Sequence, residues 1–312
     1  MRIFDICDLC RNASKHLVLA SVLFGIAALA ADTNLREVFD AARRADGSAI
    51  RRYVTAGTPL TAKDPTERDS ADEYPEATLL MYAAFHGDRE LVEWLISRGA
   101  DVNAVSRYGE TALRLAIKSS ARDVVNHLLE QRASLDAGRG ALIPAVETDD
   151  IELVRELIRR GADVNLPARI SSSSQPVTPL SQAAALASPP MVEFLVRNGA
   201  HINHAPHLDG RTGATPLLAA VGENRVKVAE LLLQKGAKLE DRGYNFMAGD
   251  GVTALYTAVS ERNVEMIAML MRHRPSVATV KEATERAKNN WNGVQPKDAL
   301  ILEILGGKTV TP

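Results

Sequence analysis

The 312-residue sequence predicts an all-α solenoid of about seven helix-turn-helix units, with extended finger loops and a C-terminal pair of capping helices. Three observations predict it. The phrase LVEWLISRGADVN, beginning at Leu91, returns as LVRELIRRGADVN at Leu153, 62 residues later. One interval of 19 residues recurs along the chain: Val38 to Gly57, Leu80 to Gly99, Leu113 to Arg132, Leu142 to Gly161, Leu180 to Gly199, Leu217 to Gly236 and Leu255 to Arg274. Alanine stands three residues after each start, at Ala41, Ala83, Ala116, Ala145, Ala183, Ala220 and Ala258.

Each unit reads as two helices. Counting from its opening apolar residue, position twelve is Ile50, Val92, Val125, Val154, Val192, Ala229 or Ile267, and leucine-rich pairs such as Leu95-Ile96 and Leu232-Leu233 follow at fifteen and sixteen. Spacings of three and four give a helix one buried face. Between these runs lie Gly87-Asp88, Asp149-Asp150, Ser188-Pro189, Asn224 and Asn263, turn and capping residues that end one helix and start another. Glycine at position nineteen suits a helix ending on a left-handed residue, so Arg132 and Arg274 must carry strain or end their helices otherwise. The alanine at position three lets neighbouring first helices approach closely, where a larger side chain would over-pack.

Thr178-Pro179-Leu180, Thr215-Pro216-Leu217 and the RGADVN phrases resemble the ankyrin repeat, a turn plus two helices in about 33 residues. The resemblance, of the exported bacterial periplasmic type, runs from about Asn34 to Val277. The family's histidine after Thr-Pro-Leu is replaced by Met81, Arg114, Ser181, Leu218 or Tyr256, which removes its usual hydrogen bonds and shifts weight onto packing. Unit three also lacks the threonine, having Gly140-Ala141-Leu142. The expected organisation is a signal peptide over 1–31, an N-terminal capping repeat and long linker over 32–76, repeats over 77–278, and a C-terminal cap and tail over 279–312.

The resemblance implies a concave binding face formed by positions five and six of each unit and by positions three, five and six before its start. Carried over, these are Arg43, Arg44, Phe85, His86, Lys118, Glu147 and Glu223 on the helical side. On the loops they are Tyr74, Arg107, Tyr108, Glu110, Arg139 and Arg211. Between units the chain runs 23, 14, 10, 19, 18 and 19 residues in turn, and in a solenoid such variation collects in loops on one face, often the binding face. Tyr244, Phe246 and Met247 sit in one of the long loops, either as interface anchors or folded back as a satellite core.

Other function classes find little support. A formal charge of −2 with dispersed Lys and Arg offers no basic stripe for nucleic acid. No phosphate-binding glycine loop, Gly-x-Ser-x-Gly or His-Glu-x-x-His is present, so neither catalysis nor a cofactor is expected. His201, His204 and His207, with Asp209, define an alternative reading as a metal-dependent factor or enzyme built on that loop, although Pro206 prevents a helix from aligning them. Arg2, Arg11 and Lys15 precede the uncharged run from Leu17 to Ala31, the pattern of a signal peptide cleaved near Ala30 or Ala31. Retention of that run would make a membrane-tethered scaffold instead. Cys7 and Cys10 lie upstream of the cleavage point, so the mature chain would hold no thiol and carry a charge of −3. The resulting expectation is a monomeric, non-enzymatic, periplasmic or secreted adaptor or inhibitor that binds a protein, conferring immunity to a toxin or protecting a periplasmic enzyme.

Overall fold

A computed structural model describes residues 34–65, 76–169, 175–208, 210–245, 249–290 and 296–306. Among these, sixteen helices form eight consecutive hairpins. The chain divides into two compact units, 1–133 and 134–312.

The first unit holds α1 (34–43), α2 (Gly47–Thr55), α3 (Leu79–Phe85), α4 (Arg89–Ser97), α5 (Ala112–Lys118) and α6 (Arg122–Glu130). First helices pack on first helices and second on second: α3 lies against α5 and α4 against α6, while α3 closes on α4 and α5 on α6. The second unit repeats the scheme with α7 (Leu142–Glu147), α8 (Ile151–Arg159), α9 (Pro179–Leu186), α10 (Pro189–Arg197), α11 (Pro216–Gly222), α12 (Val226–Gln234), α13 (Ala254–Ser260), α14 (Val264–Arg272), α15 (Val277–Asn290) and α16 (Pro296–Leu305). All seven position-three alanines are buried, as are the seven residues at position twelve, so the periodic pattern is the packed seam between helices.

The helix starts follow from local chemistry. Thr78, Thr111, Thr178, Thr215 and Thr253 each accept a hydrogen bond from the backbone N–H three residues on, at 3.1–3.3 Å. Two of the residues standing where the family histidine is missing take local roles. Ser181 Oγ accepts from the Thr178 N–H at 2.9 Å, and Met81 Sδ does the same for Thr78 at 3.4 Å, each closing a capping box. Ala141 has no hydroxyl to offer, and α7 is the shortest helix described, six residues.

Both helices of a unit commonly end left-handed. At position nineteen Arg132 and Arg274 adopt φ of +59° and +53°, so they take the glycine conformation rather than avoid it. That backbone disfavours a Cβ by roughly 1–2 kcal/mol. Arg132→Gly and Arg274→Gly are each expected to raise stability by about 1 kcal/mol, read as a higher urea midpoint at unchanged slope.

Asparagine closing the repeated phrase bridges to the next repeat. Asn165 Nδ2 donates to Gly199 O at 3.1 Å while its Oδ1 accepts from His201 N at 2.8 Å. Asn203 does the same for Gly236 O and Lys238 N, at 3.2 and 2.8 Å. On the second helices an arginine covers an aromatic ring of the following repeat, Arg51 on Trp94 at 5.1 Å and Arg155 on Phe194 at 4.8 Å.

The long loops of the second unit are more ordered than an all-α reading suggests. Three antiparallel ribbons form: β1 (Ala168–Arg169) with β2 (Pro176–Val177), β3 (His207–Leu208) with β4 (Arg211–Thr212), and β5 (Gly243–Asn245) with β6 (Gly249–Val252). Backbone groups in a long loop need partners, and a short ladder supplies them while returning the chain to where it left. Gly213 links the ribbons: its N–H donates to Pro206 O at 2.7 Å, and its carbonyl accepts from Tyr244 N at 3.3 Å. A Cβ at Gly213 would lie 1.9 Å from Pro176 O, so only glycine allows this approach.

Candidate protein-binding surface

In the first unit the helical contact positions fall at the C-terminal ends of α1, α3 and α5. Arg44 and His86 are exposed, and Phe85 is half-buried with its ring 5.4 Å from that of His86 in an edge-on arrangement. A groove of about 440 Å³ opens there, lined by Phe85, His86, Ser119, Ser120, Arg122 and Asp123. Arg43 is engaged inside the protein instead. It pairs with Asp40 at 2.5 Å and with buried Asp64, whose carboxylate also accepts from the Tyr82 hydroxyl at 2.7 Å. Burial, reinforced by Asp64, raises the Tyr82 phenol above its ordinary range.

The loop before α5 is a tight turn. Ser106 N donates to Glu110 O at 2.9 Å, Glu110 N donates to Ser106 Oγ at 3.0 Å, and Gly109 takes φ +76°. This turn carries Arg107, exposed, and Tyr108, half-buried. Glu110 points the other way. It is buried and holds Arg114 at 3.1 Å and Lys118 at 2.8 Å. Burial pushes its carboxyl up, but the two cations outweigh that and leave it below the usual range. Glu110, Arg43 and Lys118 are therefore internal ion-pair members, whereas Arg44, His86 and Arg107 face solvent. Position along a repeat does not reveal this difference, because it depends on which neighbour bears the opposite charge.

In the second unit Glu147 is exposed and accepts from the buried amide of Gln182 at 3.0 Å. Glu223 is exposed at the C-cap of α11. Arg211 is exposed on β4, and Arg139 is half-buried before α7. Tyr244 is half-buried on β5. Tyr74, Phe246 and Met247 lie outside the described residues.

Two residues of this surface were not singled out by the sequence reading. Leu186, ending α9, is 54% exposed. Glu261, at the C-cap of α13, has a buried Oε1 with no hydrogen-bond partner among the described residues. Burial, together with nearby Glu223, lifts its carboxyl to about 7. The folded chain thus keeps a proton that the unfolded chain releases, so this group's contribution is fully present below the unfolded carboxylate range and is lost as pH rises through about 7. Glu261→Gln is expected to stabilise the chain by about 1 kcal/mol at pH 8, allowing for solvent screening, and to be neutral at about pH 3, as followed by thermal midpoints.

A family model described as ankyrin repeats in three copies matches residues 39–139, 80–168, 142–243 and 180–281. The chain belongs to the ankyrin-repeat family. Its relatives include human neurogenic locus notch homolog protein 1, 38% identical over 149 residues, which are 46% of this chain and 5% of that protein. The putative ankyrin repeat protein FPV031 of fowlpox virus (strain NVSL) is 33% identical over 137 residues, 44% of this chain and 37% of the relative. Ankyrin repeat protein nuc-2 of Neurospora crassa is 26% identical over 239 residues, 72% of this chain and 20% of the relative. The chain therefore spans well under half the length of these curated relatives. The crystal structure of the human ASB11 ankyrin repeat domain shares the fold at a TM-score of 0.55 and 24% identity, over 77% of this chain and 99% of that one.

Ankyrin repeats are protein-binding repeats, and membership of the family implies that coarse role. The alternative histidine site gains no geometry. His201 and His204 stand edge-on with ring centroids 6.1 Å apart, and His207 Nδ1 lies 3.2 Å from Thr212 Oγ1. Among the described residues no three His, Cys, Asp or Glu side chains are gathered to hold a metal, and Asp209 lies outside them. No described helix is long and apolar enough to cross a membrane.

Proposed function

We propose that this ankyrin-repeat chain is a non-enzymatic adaptor or inhibitor that acts after export, in the periplasm or beyond, by holding a protein partner with the ends of its first helices and its inter-repeat loops. One contrast carries the reading. The repeat interior is uniform, with buried alanine at position three throughout, while position six and the loop turns expose arginine, histidine, leucine and glutamate side chains in turn. Uniform packing with varied exposed chemistry suits recognition, and a pre-formed surface lowers the entropy cost of association. Export is supported by the basic start and the apolar run from Leu17 to Ala31.

The test is affinity capture from the exported fraction with the wild-type chain and with an Arg44→Ala/His86→Ala/Arg107→Ala variant. The wild type is expected to retain one partner in stoichiometric amount and the variant to lose most of it. Equal recovery by both would remove these anchors. A toxin among the captured proteins would assign immunity, and a resident enzyme would assign protection. N-terminal sequencing of the recovered chain is expected to start at residue 31 or 32; an intact Met1 would replace the exported form with a tethered one.

A further inference from the structure

We propose that the C-terminal ends of α9, α11 and α13 form a docking face for a cationic, aliphatic segment of the partner protein, with an arginine or lysine side chain entering beside Glu223 and Glu261 and an aliphatic neighbour covering Leu186. This rests on the protein-binding reading above and adds the chemistry of the partner. The three helix ends are neighbours: α9 packs on α11 and α11 on α13. Arg225, just after α11, reaches the carbonyls of Ala185 and Ala187 at the end of α9, at 3.1 and 2.5 Å, and Asn263 after α13 bonds Asn224 after α11.

The charge at this face runs against the usual rule. A helix C-terminus already presents negative carbonyls, where cations are the stabilising neighbours. Here Glu223 and Glu261 occupy the C-caps of α11 and α13, and Glu147 ends α7. Neither Glu223 nor Glu261 has an ion-pair partner among the described residues, and Glu261 Oε1 is buried without a donor. The arginines nearby are engaged elsewhere: Arg225 on the α9 carbonyls, Arg262 on Asp298 at 3.1 Å, and Arg286 over the Tyr256 ring at 5.2 Å. Burial and the nearby Glu223 make a second charge at Glu261 costly, and an entering cation would favour its carboxylate form.

Leu186 decides between kinds of cation. More than half of this residue meets water at the end of α9, the helix that packs on α11. A hydrated metal ion gains nothing from a leucine, and no three ligating side chains are gathered here among the described residues. A guanidinium or ammonium on an aliphatic stem satisfies both: its head meets carboxylates and carbonyls while its stem and an adjacent apolar side chain cover Leu186.

The test uses the full chain and a fluorescein-labelled peptide alternating arginine with leucine, with a glutamate–leucine peptide for comparison. The arginine–leucine peptide is expected to bind wild type and a Glu90→Gln/Glu265→Gln control of equal net charge with the same Kd. Binding is expected to weaken about tenfold in Glu223→Gln/Glu261→Gln and about fivefold in Leu186→Ser. Equal Kd in all four proteins would mean diffuse attraction and overturn the proposal. Weakening by Leu186→Ser alone, or preference for the glutamate–leucine peptide, would also overturn it while leaving protein binding by this face intact. Stoichiometric calcium binding lost in the double glutamine variant, with no change in peptide affinity, would overturn it in favour of an ion site.

Discussion

Replacing Glu110 by alanine is expected to lower the stability of the folded chain by about 3–5 kcal/mol, the usual cost of removing one member of a buried ion pair. The carboxylate lies under the first-unit surface with Arg114 and Lys118 on its two oxygens, and Arg114 is as deeply buried as Glu110 itself. Taking the carboxylate away removes the anion that this buried guanidinium and Lys118 share, leaving two cations with less compensation. Total stabilities of about 5–15 kcal/mol make this a large fraction of what holds a domain folded. The pH dependence has a definite sign. Because the folded carboxyl lies below its ordinary range, its contribution is complete above the unfolded carboxylate range and fades as pH falls through the folded value. Urea unfolding is therefore expected to separate wild type from Glu110→Ala widely at pH 7 and less in strong acid. A Glu110→Leu/Arg114→Leu chain, which removes both charges, is expected to recover much of the loss. If Glu110→Ala unfolds at the wild-type urea concentration, the buried pair is not stabilising the first unit.

Gly213→Ala is expected to cost about 3 kcal/mol, by forcing apart backbones that no side chain can vacate. The added methyl would meet the carbonyl of Pro176 on β2, 1.9 Å away, so β2 and the start of the following repeat must separate. The helices contain none of these atoms, so helical circular dichroism should persist at low temperature while the ribbons loosen. The Tyr244 amide, which donates to Gly213 O, is the reporter: its hydrogen exchange should accelerate in the variant. Unchanged exchange and unchanged stability would show that the ribbons are not held together at Gly213.

Most of the helical architecture was legible because its signals are local. Threonine before a helix, glycine after one, alanine at position three and branched residues at position twelve each act within a turn or across one seam. The C-terminal helices were equally legible, since Pro296 starts and Gly306 follows a run of apolar residues. The ribbons were not. Two-residue strands such as His207–Leu208 have no room for an alternating pattern, and they form because a neighbouring loop, not their own composition, fixes their path. The candidate surface was legible as a set of positions and illegible as a set of roles. Arg43 and Arg44 are adjacent in sequence, yet one is tied to Asp64 from a loop 21 residues away and the other meets solvent. Leu186 and Glu261 escaped notice because their significance lies in what surrounds them, an exposed apolar end and an unmet acceptor.

The asparagine bridges bear on how such a chain grows. Asn165 and Asn203 touch only main-chain atoms of the repeat that follows, a carbonyl and an N–H, and so are indifferent to the side chain displayed there. That is why His201 can replace the aspartate found at Asp101 and Asp163 without losing the link. A segment copied by tandem duplication would arrive with its fastening already matched to whatever repeat follows it. Lengthening the array then requires no coordinated second change, and the outward-facing residues of a new copy are free to diverge from the day it appears.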